Sequence, residues 1–126
     1  MEATQAVEAA LILVVDDERD IRSTVAEMLE LEGYAVAEAV NGADALDAVE
    51  RQTPDVILLD MRMPVLDGWG FARELRQRGR QIPIVVMTAA RDASRWAEEI
   101  AATAALSKPF GFDDLLAAVD EARGAA

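Results

Sequence analysis

The chain has 126 residues, enough for one domain, and is 52% hydrophobic with no low-complexity stretch. Its 24 acidic residues outweigh 12 basic ones, giving a formal charge of −12 that repels phosphate backbones and argues against direct nucleic-acid binding. Histidine and cysteine are both absent, which excludes a Ser-His-Asp triad, a histidine metal site, a phosphohistidine and any disulfide.

Residues 1–10 read as an N-terminal tail. Met1–Glu8 is acidic with no basic n-region, so no signal peptide is expected and the cytoplasm is the expected compartment. Leu11–Val15 is a continuous apolar run, the mark of a strand covered on both faces, and it ends in Asp16-Asp17. Ile21, Val25, Met28 and Leu29 recur at helical spacing, and Gly33 stops that helix. Tyr34–Ala39 reads as the second strand, with Tyr34, Val36 and Glu38 on one face.

Asn41 is placed to cap the next helix, whose buried face is Gly42, Ala45, Leu46 and Val49; Pro54 lies beyond its end. Val56–Leu59 is the central strand and delivers Asp60. The third helix shows Gly68, Phe71, Ala72 and Leu75 and closes near Gly79, with Asp67 as a turn residue before it. Ile84–Met87 is the fourth strand and delivers Thr88. Ala93, Trp96, Ala97 and Ile100 repeat the helical spacing, with Asp92 as the expected cap. Ala104–Leu106 is a short fifth strand leading to Lys108-Pro109-Phe110, and Phe112, Leu115, Leu116 and Val119 face inward from a final helix. Trp69 and Trp96 read as helix packing, Trp96 being the better candidate for an interface. The apolar runs are too short to cross a bilayer.

Five strand-helix repeats predict an α/β fold: a five-stranded parallel sheet of order 2-1-3-4-5, flavodoxin-like and doubly wound, with helices on both faces. Asp16, Asp17 and Asp60 then meet where strands 1 and 3 adjoin, with Thr88 and Lys108 nearby. Two like charges 4 Å apart interact by about 4 kcal/mol at an effective dielectric of ~20, so three carboxylates call for protonation or a cation. An all-oxygen set suits Mg²⁺. Asp17 and Asp60 are the expected direct ligands, with the carbonyl of Arg62 as a third and Asp16 acting through water. A neutralised carboxylate is a competent nucleophile toward a phosphoryl group, whose oxygens the metal, the Lys108 ammonium and the Thr88 hydroxyl can take. Asp60, on the middle strand before a wide loop, is the candidate acceptor.

The blocks Val14-Val15-Asp16-Asp17-Glu18, Asp60-Met61-Arg62-Met63-Pro64 with Asp67-Gly68, Met87-Thr88-Ala89 and Lys108-Pro109-Phe110 stand in this order at four strand ends. Over residues 11–123 the chain resembles a CheY-like receiver domain of a two-component response regulator, leaving residues 124–126 as a tail. The resemblance implies that Asp60 accepts a phosphoryl group from a histidine kinase or histidine phosphotransfer protein, with Mg²⁺ held by Asp16 and Asp17. It implies that Thr88 and Lys108 contact the phosphoryl oxygens and that the Lys108-Pro109 bond is cis. The family docks kinase partners on the rim of the first helix, here near Arg19 and Arg22, and signals to a downstream protein; its members are either monomers or homodimers formed through the fourth and fifth helices, and the sequence does not decide between them. If these 126 residues are the whole product, output would be supplied by another protein; if they are a piece of a longer one, the output domain lies outside them.

The chain departs from the family where receivers carry an aromatic residue three positions before the lysine, here Ala105. The span from Thr88 to Lys108 is 20 residues, short for the family, so the fourth helix is expected to be brief. Signalling would then use rearrangement of residues 91–105, or the chain would serve as a phosphate sink. The competing functions are a pseudo-receiver that binds partners without phosphorylation and a phosphatase of the haloacid dehalogenase type. The phosphatase would want an acid at position 62, where Arg62 stands.

Overall fold

The computed structural model describes residues 9–89 and 91–124. Strands β1 (Leu11–Val15), β2 (Ala35–Ala39), β3 (Val56–Asp60), β4 (Ile84–Thr88) and β5 (Ala104–Ser107) alternate with helices α1 (Arg19–Leu31), α2 (Gly42–Arg51), α3 (Gly68–Gln77), α4 (Ala93–Glu99) and α5 (Phe112–Gly124). All strand pairs are parallel, in the order β2-β1-β3-β4-β5. This is the predicted topology.

The apolar runs of β1, β3 and β4 are fully buried because alternate residues feed two separate cores. Leu13, Val15, Ile57, Leu59, Ile84 and Val86 pack on one face against Leu46 and Val49 of α2, Phe71 and Leu75 of α3, and Trp96 of α4. Ile12, Val14, Val56, Leu58, Val85 and Met87 pack on the other against Val25 and Leu29 of α1 and Leu115 and Val119 of α5. The inward stripe of α5 is Leu115, Ala118, Val119 and Ala122; Phe112 and Leu116, expected to face inward, are only half-buried.

The local signals act mostly as read. Asn41 caps α2 by accepting from the Asp44 amide at 2.8 Å, and Gly33 ends α1 at φ 92°. Asp67 does more than turn the chain: extended backbone lets its carboxylate cap α3 through the Gly70 amide at 2.9 Å. Asp92 stands at the α4 cap position without capping it, because its backbone, at ψ 21°, is not extended; its carboxylate pairs with Arg95 at 3.2 Å. The fourth helix is brief, at seven residues. Trp96 is 5% exposed, so it is core and not an interface residue. Among the described residues no helix is long and apolar enough to cross a membrane.

Candidate functional site

Four strand ends converge on the C-terminal edge of the sheet. Asp16 follows β1, Asp60 and Thr88 are the last residues of β3 and β4, and Lys108 follows β5. The polar residues continue the ladder one position beyond the apolar runs: Asp60 is in register with Met87 and Thr88 with Ser107. The Lys108 amide donates to the Thr88 carbonyl at 2.8 Å, fixing the loop after β5 against β4, and the Lys108-Pro109 bond is cis. Asp17, Glu18, Asp60, Arg62, Thr88, Ala89 and Lys108 line an open cavity of about 610 Å³.

Asp16 and Asp60 are buried while Asp17 is exposed, and each of the three offers an oxygen within 4.8 Å of the others. That spacing and donor chemistry fit a small hard cation. The Lys108 ammonium lies 2.8 Å from Asp16 Oδ2, 3.6 Å from Asp60 Oδ2 and 3.8 Å from Glu18 Oε1. Burial acts to lower the Lys108 pKa; the Asp16 hydrogen bond and the pull of Asp60, Asp16 and Glu18 outweigh it, so the ammonium is held above its usual range. The Asp60 carboxyl is pushed up from 3.8 to about 6. Burial is the main cause; Asp16 and Asp17 add to it, while Lys108 and the Arg62 amide, 3.4 Å from Oδ1, oppose it.

The structure therefore brings together all the residues named from the sequence: Asp16, Asp17, Asp60, Arg62, Thr88 and Lys108. It adds supports that no local pattern signals. Asp16 Oδ1 accepts from the Glu18 amide at 2.9 Å, and its carbonyl accepts from Arg22 Nη1 at 2.8 Å. Arg22, with a 13% exposed side chain, also pairs with Glu38, while Arg19 beside it on α1 is exposed. Gly68 is required by close approach: a Cβ there would stand 2.5 Å from Met61 Sδ and 2.8 Å from Met61 Cα. The Arg62 side chain leaves the site and lies over the Trp96 ring, 5.1 Å from its centroid.

The family model described as the response regulator receiver domain matches residues 12–120. The chain is 42% identical over 108 residues to response regulator MprA of Mycobacterium sp. (strain KMS), covering 84% of this chain and 47% of that protein. It is 41% identical over 110 residues to MprA of Mycobacterium leprae (strain TN), covering 86% and 48%. The chain thus spans about half the length of these relatives. Among solved structures, chemotaxis protein CheY4 of Vibrio cholerae aligns with TM-score 0.83 at 31% identity, covering 91% of this chain and 99% of that one. The receiver domain of NtrX from Brucella abortus aligns with TM-score 0.85 at 30% identity, again covering 91% and 99%. Five parallel strands in the order 2-1-3-4-5, an acidic cluster at their switch point and these matches together place the chain in the receiver domain family of two-component response regulators.

Proposed function

We propose that residues 11–123 form a receiver unit in which Asp60 takes a phosphoryl group from a phosphohistidine donor, a histidine kinase or histidine phosphotransfer protein. The observation that carries this reading is the setting of Asp60. It is 5% exposed at the end of the central strand, beside two further carboxylates, and opens onto a cavity shared with Thr88 and Lys108. An Asp60 oxygen bonds to phosphorus as the donor's N–P bond breaks, and the imidazole departs with the electron pair. Thr88 and Lys108 contact oxygens of the transferred group, Lys108 meeting its growing negative charge with a fixed ammonium.

Asp17, Asp60 and the Arg62 carbonyl would hold Mg²⁺ directly. Asp16 would support it through water, since both its oxygens already accept hydrogen bonds, from Glu18 and Lys108. When bound, Mg²⁺ supplies the positive charge that balances three carboxylates against one ammonium and draws a phosphoryl oxygen toward the site. The donor docks in the adjoining apolar groove of about 510 Å³, between Ile21, Val25 and Met28 of α1 and Pro109-Phe110.

Intact-protein mass after incubation with acetyl phosphate and Mg²⁺ tests the proposal. One added phosphoryl group is expected, lost in Asp60→Asn and in the presence of a chelator. Unchanged mass in folded protein, or phosphorylation that persists in Asp60→Asn, overturns it.

A further inference from the structure

Arg62 belongs to the site by its backbone and to α4 by its side chain. Its amide reaches Asp60 Oδ1 at 3.4 Å, while its guanidinium carbon sits 5.1 Å from the Trp96 ring centroid. Trp96 packs edge-on against Trp69 at 4.8 Å and 67°, and Trp69 Nε1 donates to Glu99 at 2.8 Å. One short chain of contacts therefore runs from Asp60 through Arg62 and two indoles to the last turn of α4.

The far end of that chain is a short helix, buried at Trp96 and Ile100 but lacking a cap at its start. The α4 helix has seven residues and no side-chain N-cap bond, and it is followed by Ala101 at φ 52°. Ala105 of β5 packs in the same apolar cluster as Trp96 and Trp69, and its methyl group leaves an indole shift unopposed by any large side chain at that position.

The near end faces a change of charge. Arg62 is exposed and lines the same cavity as Asp60, Thr88 and Lys108. A guanidinium on an indole face is held by a modest attraction. An acyl phosphate on Asp60 would add negative charge and acceptor oxygens that a planar guanidinium binds more strongly.

We propose that Arg62 is a two-position cation: on Trp96 when Asp60 is free, and turned to the phosphoryl oxygens when Asp60 is loaded. Its departure frees Trp96 and loosens α4, so the state of Asp60 is read on the α4 surface. This rests on Asp60 being the acceptor.

The test uses beryllofluoride with Mg²⁺ as the phosphoryl mimic, and ¹⁹F NMR of the bound fluorides records loading independently of any response. Two responses are followed: Trp96 emission in a Trp69→Phe background, and amide exchange of residues 91–105 in the otherwise intact chain. Loading of the wild-type chain is expected to shift the emission and speed the exchange. Arg62→Met, which keeps the stem and removes the charge, is expected to need more beryllofluoride and, once the ¹⁹F signal shows it fully loaded, to lack both responses. Arg62→Lys, which restores the charge, is expected to recover part of the emission shift. Loading of the wild type without either response, or an Arg62→Met variant that responds as the wild type does, overturns the inference while leaving Asp60 as acceptor. Absence of bound beryllofluoride in the folded wild type removes the acceptor reading and this inference with it.

Discussion

Replacing Asp60 with Asn is expected to raise the stability of the metal-free protein, by an amount set by pH. The Asp60 carboxyl is 5% exposed and raised from 3.8 to about 6, chiefly by burial. Below pH 3.8 it is protonated in folded and unfolded chains alike. Between 3.8 and about 6 the unfolded chain gives up the proton while the folded chain keeps it, so stability falls as pH rises through that window. Above it the full penalty stands. At about 1.4 kcal/mol per pH unit, the interval from 3.8 to about 6 corresponds to about 3 kcal/mol.

Asparagine does not ionise, and Lys108 keeps its 2.8 Å bond to Asp16 in the variant. The difference between Asp60→Asn and wild type should grow from a small value near pH 4 to about 3 kcal/mol above pH 7. Urea unfolding in EDTA across this range measures it, and taking the difference cancels the other carboxylates. In thermal unfolding the gain is on the order of 10 °C for a domain of this size. Millimolar Mg²⁺ should narrow the gap, because it stabilises the folded wild type through a site the variant has weakened. A difference that stays flat from pH 4 to 8, or an Asp60→Asn variant less stable than wild type in EDTA at pH 8, would refute the reasoning.

Lys108→Met leaves the fully buried Asp16 without its ammonium. Metal-free stability should fall by about 3 kcal/mol in urea unfolding, and phosphoryl incorporation from acetyl phosphate should slow about a hundredfold. Gly68→Ala drives a methyl group into Met61 and to 3.1 Å from the Asp60 carbonyl oxygen; a loss of about 2 kcal/mol should accompany reduced incorporation, because the acceptor's own backbone must shift. Val65 holds φ 72° while 82% exposed, so Val65→Gly should gain about 1 kcal/mol in thermal unfolding, strain relief exceeding the added chain entropy, with incorporation unchanged.

The sheet order was legible because β1, β3 and β4 are apolar on both faces, which only a doubly covered parallel sheet explains. The site followed from it, since strand ends converge once the order is known. Apolarity ends one residue before the strand does at Asp60, Thr88 and Ser107, where the hydrogen-bonded ladder continues past it, and Tyr34, expected in the second strand, lies just before it. Asp67 and Asp92 look alike in sequence yet only Asp67 caps, a difference that lies in backbone torsions: ψ is −178° at Asp67 and 21° at Asp92. The pairing of Lys108 with Asp16, the inward turn of Arg22 and the stacking of Arg62 on Trp96 join residues on different elements. Such pairings depend on tertiary geometry that no local pattern encodes.

A buried carboxylate of raised pKa can be a purely structural feature, so the cations that stay away from it matter as much as the one that enters. The chain has eleven arginines and a single lysine, Lys108. Among the described residues Lys108 is the one cation paired with the carboxylates of Asp16 and Asp60. Arg22 comes close enough to donate to the Asp16 carbonyl, yet it spends its charge on Glu38. Arg62 is two residues from Asp60 and turns its guanidinium onto an indole. A second cation among the carboxylates would halve their charge deficit, lower the Asp60 pKa and stabilise the fold. It would also weaken the electrostatic demand for a divalent ion. One ammonium against three carboxylates leaves a deficit of two charges, which one divalent cation fills. The instability predicted for the metal-free protein and the affinity proposed for Mg²⁺ therefore have the same source, and Asp60→Asn should diminish both together.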